Sequence, residues 1–137
     1  MILKLKDIKG LLEGLKALEN AKVPRKMGSP IVRNIISLET EQKELEKQQI
    51  EICESYATKG SDGKALFKKI EDGITYIFPS EEERKKCNEE YREVLENEVD
   101  IPIQLIDEET FAACDDLDKY DALTINGQKS LDFMIKK

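Results

Sequence analysis

The residues of this chain best placed to do chemistry are bases, gathered where acids are missing. From Asn20 to Leu38 there is no Asp or Glu, although 29 acids are spread over the rest of the 137 residues. That gap holds Lys22, Arg25, Lys26 and Arg33, with Gly28 and Ser29 among them. Guanidinium groups grip phosphate bidentately, and a helix opening at the same place would add free backbone N–H groups and the positive end of its dipole. Lys22, Arg25, Lys26, Ser29 and Arg33 are therefore the predicted ligand-binding residues, and a small anion is the predicted ligand. The competing explanation is that these bases balance acidic neighbours or keep a loop soluble, at little energetic consequence.

Other chemistries fare worse. There is no histidine, which removes Ser-His-Asp and Cys-His catalysis and histidine-ligated metals. Gly60-Ser61-Asp62-Gly63-Lys64-Ala65 has the look of a phosphate loop, but its first glycine is misplaced and Ala65 stands where Ser or Thr meets magnesium, so it is read as a turn. Asp115, Asp116, Asp118 and Asp121 suggest calcium, yet Tyr120 occupies a ligand position, the central glycine is missing and no Glu closes the loop. A solvated acidic turn is expected there. Carboxylate pairs such as Glu89-Glu90 are too common in so acidic a chain to signal acid–base catalysis, and Glu81 to Glu83 instead complement a helix dipole. Cys53, Cys87 and Cys114 lie far apart without C-x-x-C spacing, which predicts neither a disulfide framework nor a zinc cluster and suggests a reducing cytosol. No catalytic residue, metal or cofactor is predicted, and the chain is not expected to be an enzyme.

The element that must position the basic cluster is a long helix. Ser29 is its expected N-cap and Pro30 its first helical residue. From there Ile31, Leu38, Leu45 and Ile52 recur every seventh residue, and Ile35, Gln42, Gln49 and Tyr56 follow each by four. Both rows share one face, while Glu41, Lys43, Glu44, Glu46, Lys47 and Glu51 form the solvated side. A helix over residues 30–58 would span roughly 40 Å. Gln42 and Gln49 would be costly if buried without partners, so that edge is expected to be wet or to pair polar groups across a subunit interface, and self-association into a homo-oligomer is expected.

Shorter elements surround it. A strand-helix over 1–20 opens with alternating Lys and aliphatics, continues from an Asp7 cap, and carries the stripe Ile8, Leu11, Leu12, Leu15 and Leu18; Gly10 and Gly14 each weaken that helix by up to about 1 kcal/mol. After the basic loop 21–29 and the long helix come a hairpin over 66–78 around Asp72-Gly73 and a helix over 80–98. Ser80 and Glu83 form the capping box of that helix, and Cys87, Tyr91, Val94 and Leu95 form its apolar face. A strand over 99–106, kept at an edge by Pro102, is expected to pair with the N-terminal strand. Residues 107–137 complete the chain with helices ending in the apolar face Leu131, Met134 and Ile135. The fold class is thus α+β, mainly helical: a long central helix packed by two or three shorter helices, with a β-hairpin and short edge strands, in one domain over 1–137.

Composition bounds the partners. With 39% hydrophobic and 37% charged residues and a net charge of −7, the chain has the make-up of a soluble globular domain, and its charge argues against duplex nucleic acid and against membrane surfaces. It has no apolar run able to cross a bilayer, and its start does not read as a signal peptide, so a cytoplasmic location is expected.

One further pattern concerns the order of signals. Met1-Ile2-Leu3-Lys4-Leu5 leads into a leucine-rich helix; Val23-Pro24-Arg25-Lys26 precedes Ile31-Val32-Arg33-Asn34-Ile35 and Leu38-Glu39-Thr40-Glu41. A long helix ending in Tyr and an Asp-Gly hairpin follow, then Asn88-Glu89-Glu90-Tyr91, Leu95-Glu96-Asn97-Glu98-Val99, and Leu123-Thr124 before a last helix. Over most of its length the chain resembles a family of small proteins of unknown function encoded by bacteriophages and prophages of Gram-positive bacteria. The resemblance implies a phage protein working in the host bacterial cytoplasm or in virion assembly. The expected function is non-enzymatic binding that counters a host factor or defence, by sequestering an anionic nucleotide signal at the basic start of the long helix or by covering a host protein. The alternative expectation is a structural or assembly protein of the virion tail region.

Overall fold

The computed structural model describes residues 1–112, 120–121 and 123–136. Its elements are β1 (Ile2–Lys4), α1 (Leu5–Lys16), α2 (Arg25–Tyr56), β2 (Phe67–Ile70), β3 (Gly73–Tyr76), α3 (Glu81–Leu95), β4 (Glu98–Asp100), β5 (Ile106–Asp107), α4 (Glu108–Ala112), α5 (Ile125–Leu131), a 3-10 turn (Asp132–Met134) and β6 (Ile135–Lys136). The fold is α+β and mainly helical, with a long helix and small strand pairs. It divides into two compact units, Met1–Gln42 with Glu98–Lys137, and Lys43–Asn97.

The first unit holds the main apolar cluster. Ile8, Leu12 and Leu15 of α1 pack with Met27, Ile31, Ile35 and Leu38 of α2 and with Ile101, Ile106, Leu131 and Met134. The predicted stripes on both helices are thus the buried faces, with Leu11 and Leu18 at the margin. Helix α1 begins two residues before Asp7, at Leu5, and no side chain caps it; Asp7 lies in its first turn, where a carboxylate complements the dipole. Gly14, expected only to weaken α1, is where α5 approaches: a Cβ there would lie 2.7 Å from Ser130 Oγ. Gly10 meets nothing within 4 Å.

β1 pairs antiparallel with β4, Leu3 opposite Val99, as expected. The predicted strand 99–106 does not continue, however. Pro102 removes a ladder donor, and the segment from Ile101 to Leu105 is irregular before β5 pairs in parallel with β6, Ile106 opposite Ile135. What fixes this segment is Asn34 of α2, fully buried. Its Oδ1 accepts from Gln104 N at 2.8 Å, and its Nδ2 donates to Gln104 O at 2.9 Å and towards Met134 Sδ at 3.4 Å. The side-chain amide replaces the backbone partner a neighbouring strand would have offered, and an unpaired buried amide costs about 1–3 kcal/mol. The last predicted helix is shorter than expected. α5 ends at Leu131, Met134 lies in the 3-10 turn, and Ile135 belongs to β6.

The second unit has less to bury. Leu45 and Ala57 are its buried apolar residues along with Cys87 of α3, with Tyr91, Val94 and Leu95 half-covered. Gln42 of the first unit is half-buried, whereas Gln49 in the second is exposed, because the seam beyond Leu45 is only partly covered. Ser80 caps α3 as predicted, its Oγ accepting from Glu83 N at 3.3 Å, but the helix stops at Leu95, before the expected Glu98. The hairpin forms with Phe67 opposite Tyr76 and Ile70 opposite Gly73. Its turn is Glu71-Asp72 with Gly73 following at φ 139°, one residue earlier than an Asp-Gly turn, since only glycine takes that backbone angle freely. The hairpin base is tied to the residues after α2, with Thr58 N donating to Ile77 O at 2.7 Å and Leu66 N to Thr58 O at 2.8 Å.

Candidate functional site

The predicted basic loop 21–29 is largely helix. Pro24, not Ser29, precedes the first turn: its carbonyl accepts from Met27 N at 2.9 Å and Gly28 N at 2.8 Å. Pro30 therefore lies inside α2, where its missing N–H leaves the carbonyl of Lys26 without the usual helical donor. A proline inside a helix costs about 3 kcal/mol or more, and the earlier start carries Met27 into the core beside Ile31, where burying such a side chain contributes about 1.5–3 kcal/mol towards that cost. Tertiary packing offsets the local preference for a start at Ser29-Pro30.

This shift rearranges the five predicted ligand residues. Arg25, Ser29 and Arg33 now follow each other at intervals of four on one side of α2, and with Val23, Gly28 and Val32 they line one open depression of about 570 Å³. Lys22 and Lys26 do not line it. The Lys22 backbone is tied to Asp121, its backbone N–H donating to Asp121 Oδ2 at 2.8 Å while Asp121 N donates to Lys22 O at 2.8 Å. Among the described residues neither Arg25 nor Arg33 has an ion-pair partner, and both are exposed. Gly28 packs against Val23, whose Cγ2 lies 3.5 Å from where a Cβ would stand.

The arrangement presents two guanidinium groups beside an apolar floor of valines. Arg25 and Arg33 are eight residues apart, about 12 Å along the axis.

The other sequence motifs resolve differently. Gly60 to Lys64 is the turn that was predicted: Gly60 N donates to Lys64 O at 2.9 Å, Gly63 N to Gly60 O at 3.0 Å and Lys64 N to Asp62 Oδ1 at 3.0 Å. Those N–H groups are spent inside the turn and do not face a phosphate. Of the acidic run, Asp115, Asp116 and Asp118 lie outside the described residues, as does Cys114. Cys53 and Cys87, by contrast, are brought together: their sulfur atoms are 3.5 Å apart beside a pocket of about 410 Å³ within the second unit, near Tyr76, Phe78 and Arg84. No local spacing announces this meeting of α2 with α3. Arg84 is itself engaged, over the Phe78 ring at 5.6 Å and 3.9 Å from Glu81. Comparison with protein-family models, with curated proteins and with solved structures finds no match for this chain.

Proposed function

We propose that the chain is a non-enzymatic binding protein that holds an anionic, nucleotide-like ligand in the depression lined by Arg25, Ser29 and Arg33. The observation that carries the reading is the convergence of two exposed arginines, neither with an acidic partner among the described residues, on a single depression floored by Val23 and Val32. Guanidinium groups bind phosphate oxygens bidentately, so two arginines without a carboxylate partner among the described residues, beside apolar surface, favour an external anion there. The setting that goes with it is a phage protein in the bacterial cytoplasm that withdraws a signalling nucleotide from a host defence.

A second reading rests on a different observation. Leu66, Phe67, Ile70, Ile74 and Ile77 are all exposed in and beside the hairpin, with Phe67 and Ile70 on opposite faces of β2, and exposed apolar surface of this kind marks protein contacts. That favours a protein partner, as in covering a host protein, self-association or virion assembly.

Native mass spectrometry of the protein exposed to a nucleotide extract, together with a pyrophosphate titration followed by amide shifts of residues 23–33, separates the two. The anion reading expects a retained nucleotide-sized mass and shifts centred on Arg25 and Arg33. Both should disappear in Arg25→Glu/Arg33→Glu while the circular dichroism is unchanged. An oligomer with nothing bound and no shifts transfers the function to the apolar hairpin surface.

A further inference from the structure

The second unit contains a pair of thiols that the proposed binding function does not use. Cys87 Sγ lies 3.5 Å from Cys53 Sγ in a thiol–thiol hydrogen bond, and both are free. They come from α2 and α3, so the contact is made by tertiary packing alone. Among the described residues no group of three or more His, Cys, Asp or Glu could hold a metal ion, and a structural zinc site needs four ligands. Both cysteines line the solvent-open pocket of about 410 Å³, Cys53 half-buried and Cys87 2% exposed. We propose that Cys53 and Cys87 are a dithiol oxidation site, which reacts with low-molecular-weight disulfides entering this pocket and closes to an intramolecular disulfide tying α2 to α3.

The exposure difference orders the steps. Cys53 loses its proton to solvent and its thiolate attacks one sulfur of the small disulfide. The S–S bond of the oxidant breaks, the first small thiol leaves and takes up a proton, and a mixed disulfide remains on Cys53. Cys87 then gives up its proton and attacks Cys53 Sγ, expelling the second small thiol. Two protein thiols are oxidised to one disulfide, and one small disulfide is reduced to two thiols. The Cys53 thiol is pushed up to about 12 by burial and, next, by the hydrogen bond with Cys87. Thiolate is therefore scarce at neutral pH, and the first attack quickens as the pH rises. Once made, the bond encloses the hairpin β2–β3 between its ends and restricts the unfolded state of the second unit.

The test uses the full chain in native buffer with glutathione disulfide at mildly alkaline pH, then alkylation and digestion without reduction. One cross-linked peptide pair, containing Cys53 and Cys87 and lighter by about 2 Da than the two thiol peptides, is expected. The same reaction in urea is the control. Cys87 and Cys114 are nearer in sequence than Cys53 and Cys87, so the shorter loop favours that pair in an unfolded chain. Cys87→Ser should stop at a glutathione adduct on Cys53. Native cross-links scattered over all three cysteines, or a Cys53–Cys87 link no more frequent than in urea, would overturn the proposal. So would a Cys87→Ser chain that takes no adduct on Cys53.

Discussion

The two units differ in how much of their apolar sequence they bury. Among the described residues the first gathers eleven buried apolar side chains into one cluster. The second buries Leu45, Ala57 and Cys87 and leaves Ile50, Leu66, Phe67, Ile70, Ile74 and Ile77 exposed. The difference lies in layers. In the first unit α1, α2, α5 and the segment around Ile101 enclose a common interior. In the second, a two-stranded hairpin has no further strand to share its faces, and a segment of this length seldom encloses a core. The first unit thus carries Arg25 and Arg33 on a helix with a buried opposite side, whereas the second leaves its hairpin exposed and brings Cys53 and Cys87 together.

The largest effect that would break this comparison comes from matched substitutions. Leu38, fully buried, should lose about 3 kcal/mol on Leu38→Ala through lost transfer energy and the cavity left behind. Ile70 is 51% exposed, and Ile70→Thr, which keeps the strand preference, should stay within about 0.5 kcal/mol. Urea unfolding checks both. Equal losses would mean that the exposed hairpin residues are packed in solution and that the contrast between the units is false.

A smaller effect sharpens the account of the first unit. Gly10→Ala meets nothing within 4 Å and should stabilise α1 by up to about 1 kcal/mol through helix propensity. Gly14→Ala gains the same propensity but places its methyl 2.7 Å from Ser130 Oγ, and the forced separation of α1 from α5 should make it a net loss of about 1 kcal/mol. Thermal melts of the two single variants and of Gly14→Ala/Ser130→Gly test this. The double variant should recover the stability that Gly14→Ala loses, and no recovery would place the strain elsewhere.

These glycines also mark where the sequence was legible. Periodicity alone picked out Ile8, Leu12 and Leu15 on α1 and Ile31, Ile35, Leu38 and Leu45 on α2, because one-sided burial writes itself into spacing. Ser80 with Glu83 and the hairpin around Asp72 were readable for the same reason: their chemistry is local. What escaped depends on partners distant in sequence. The start of α2 moved from Pro30 to Arg25 because Met27 found a place in the core, which no cap signal reports. Asn34 reads as an ordinary helix residue in sequence, and its role comes from the backbone of Gln104, 70 residues away. Of the five residues singled out, Arg25, Ser29 and Arg33 share a depression, whereas Lys22 and Lys26 do not line it. The meeting of Cys53 with Cys87 had no trace in spacing.

The smallest effect separates the units by pH. In the second unit the Cys53 thiol is raised to about 12, mainly by burial. Its three tyrosines are raised as well, Tyr56 first by a hydrogen bond to Glu90 and Tyr76 and Tyr91 first by burial. In the first unit Lys16 is raised, chiefly by its hydrogen bond with Glu39, 2.9 Å away. Each of these groups holds its proton more tightly folded than unfolded, so each contributes stability that is complete below its ordinary value and fades as the pH climbs past it. Those ordinary values are 9.0 for the thiol, 10.0 for the phenols and 10.5 for the lysine. Alkaline loss should therefore begin in the second unit, with Lys16 joining last. Melting temperatures followed from pH 8 to 10.5 should fall in the upper part of that range. The fall should be blunted in Cys53→Ala/Tyr91→Phe and unaltered in Lys16→Met. A fall that persists in the double variant and vanishes with Lys16→Met would move the alkaline weak point to the first unit, against the contrast between a well-covered unit and a thinly covered, titratable one.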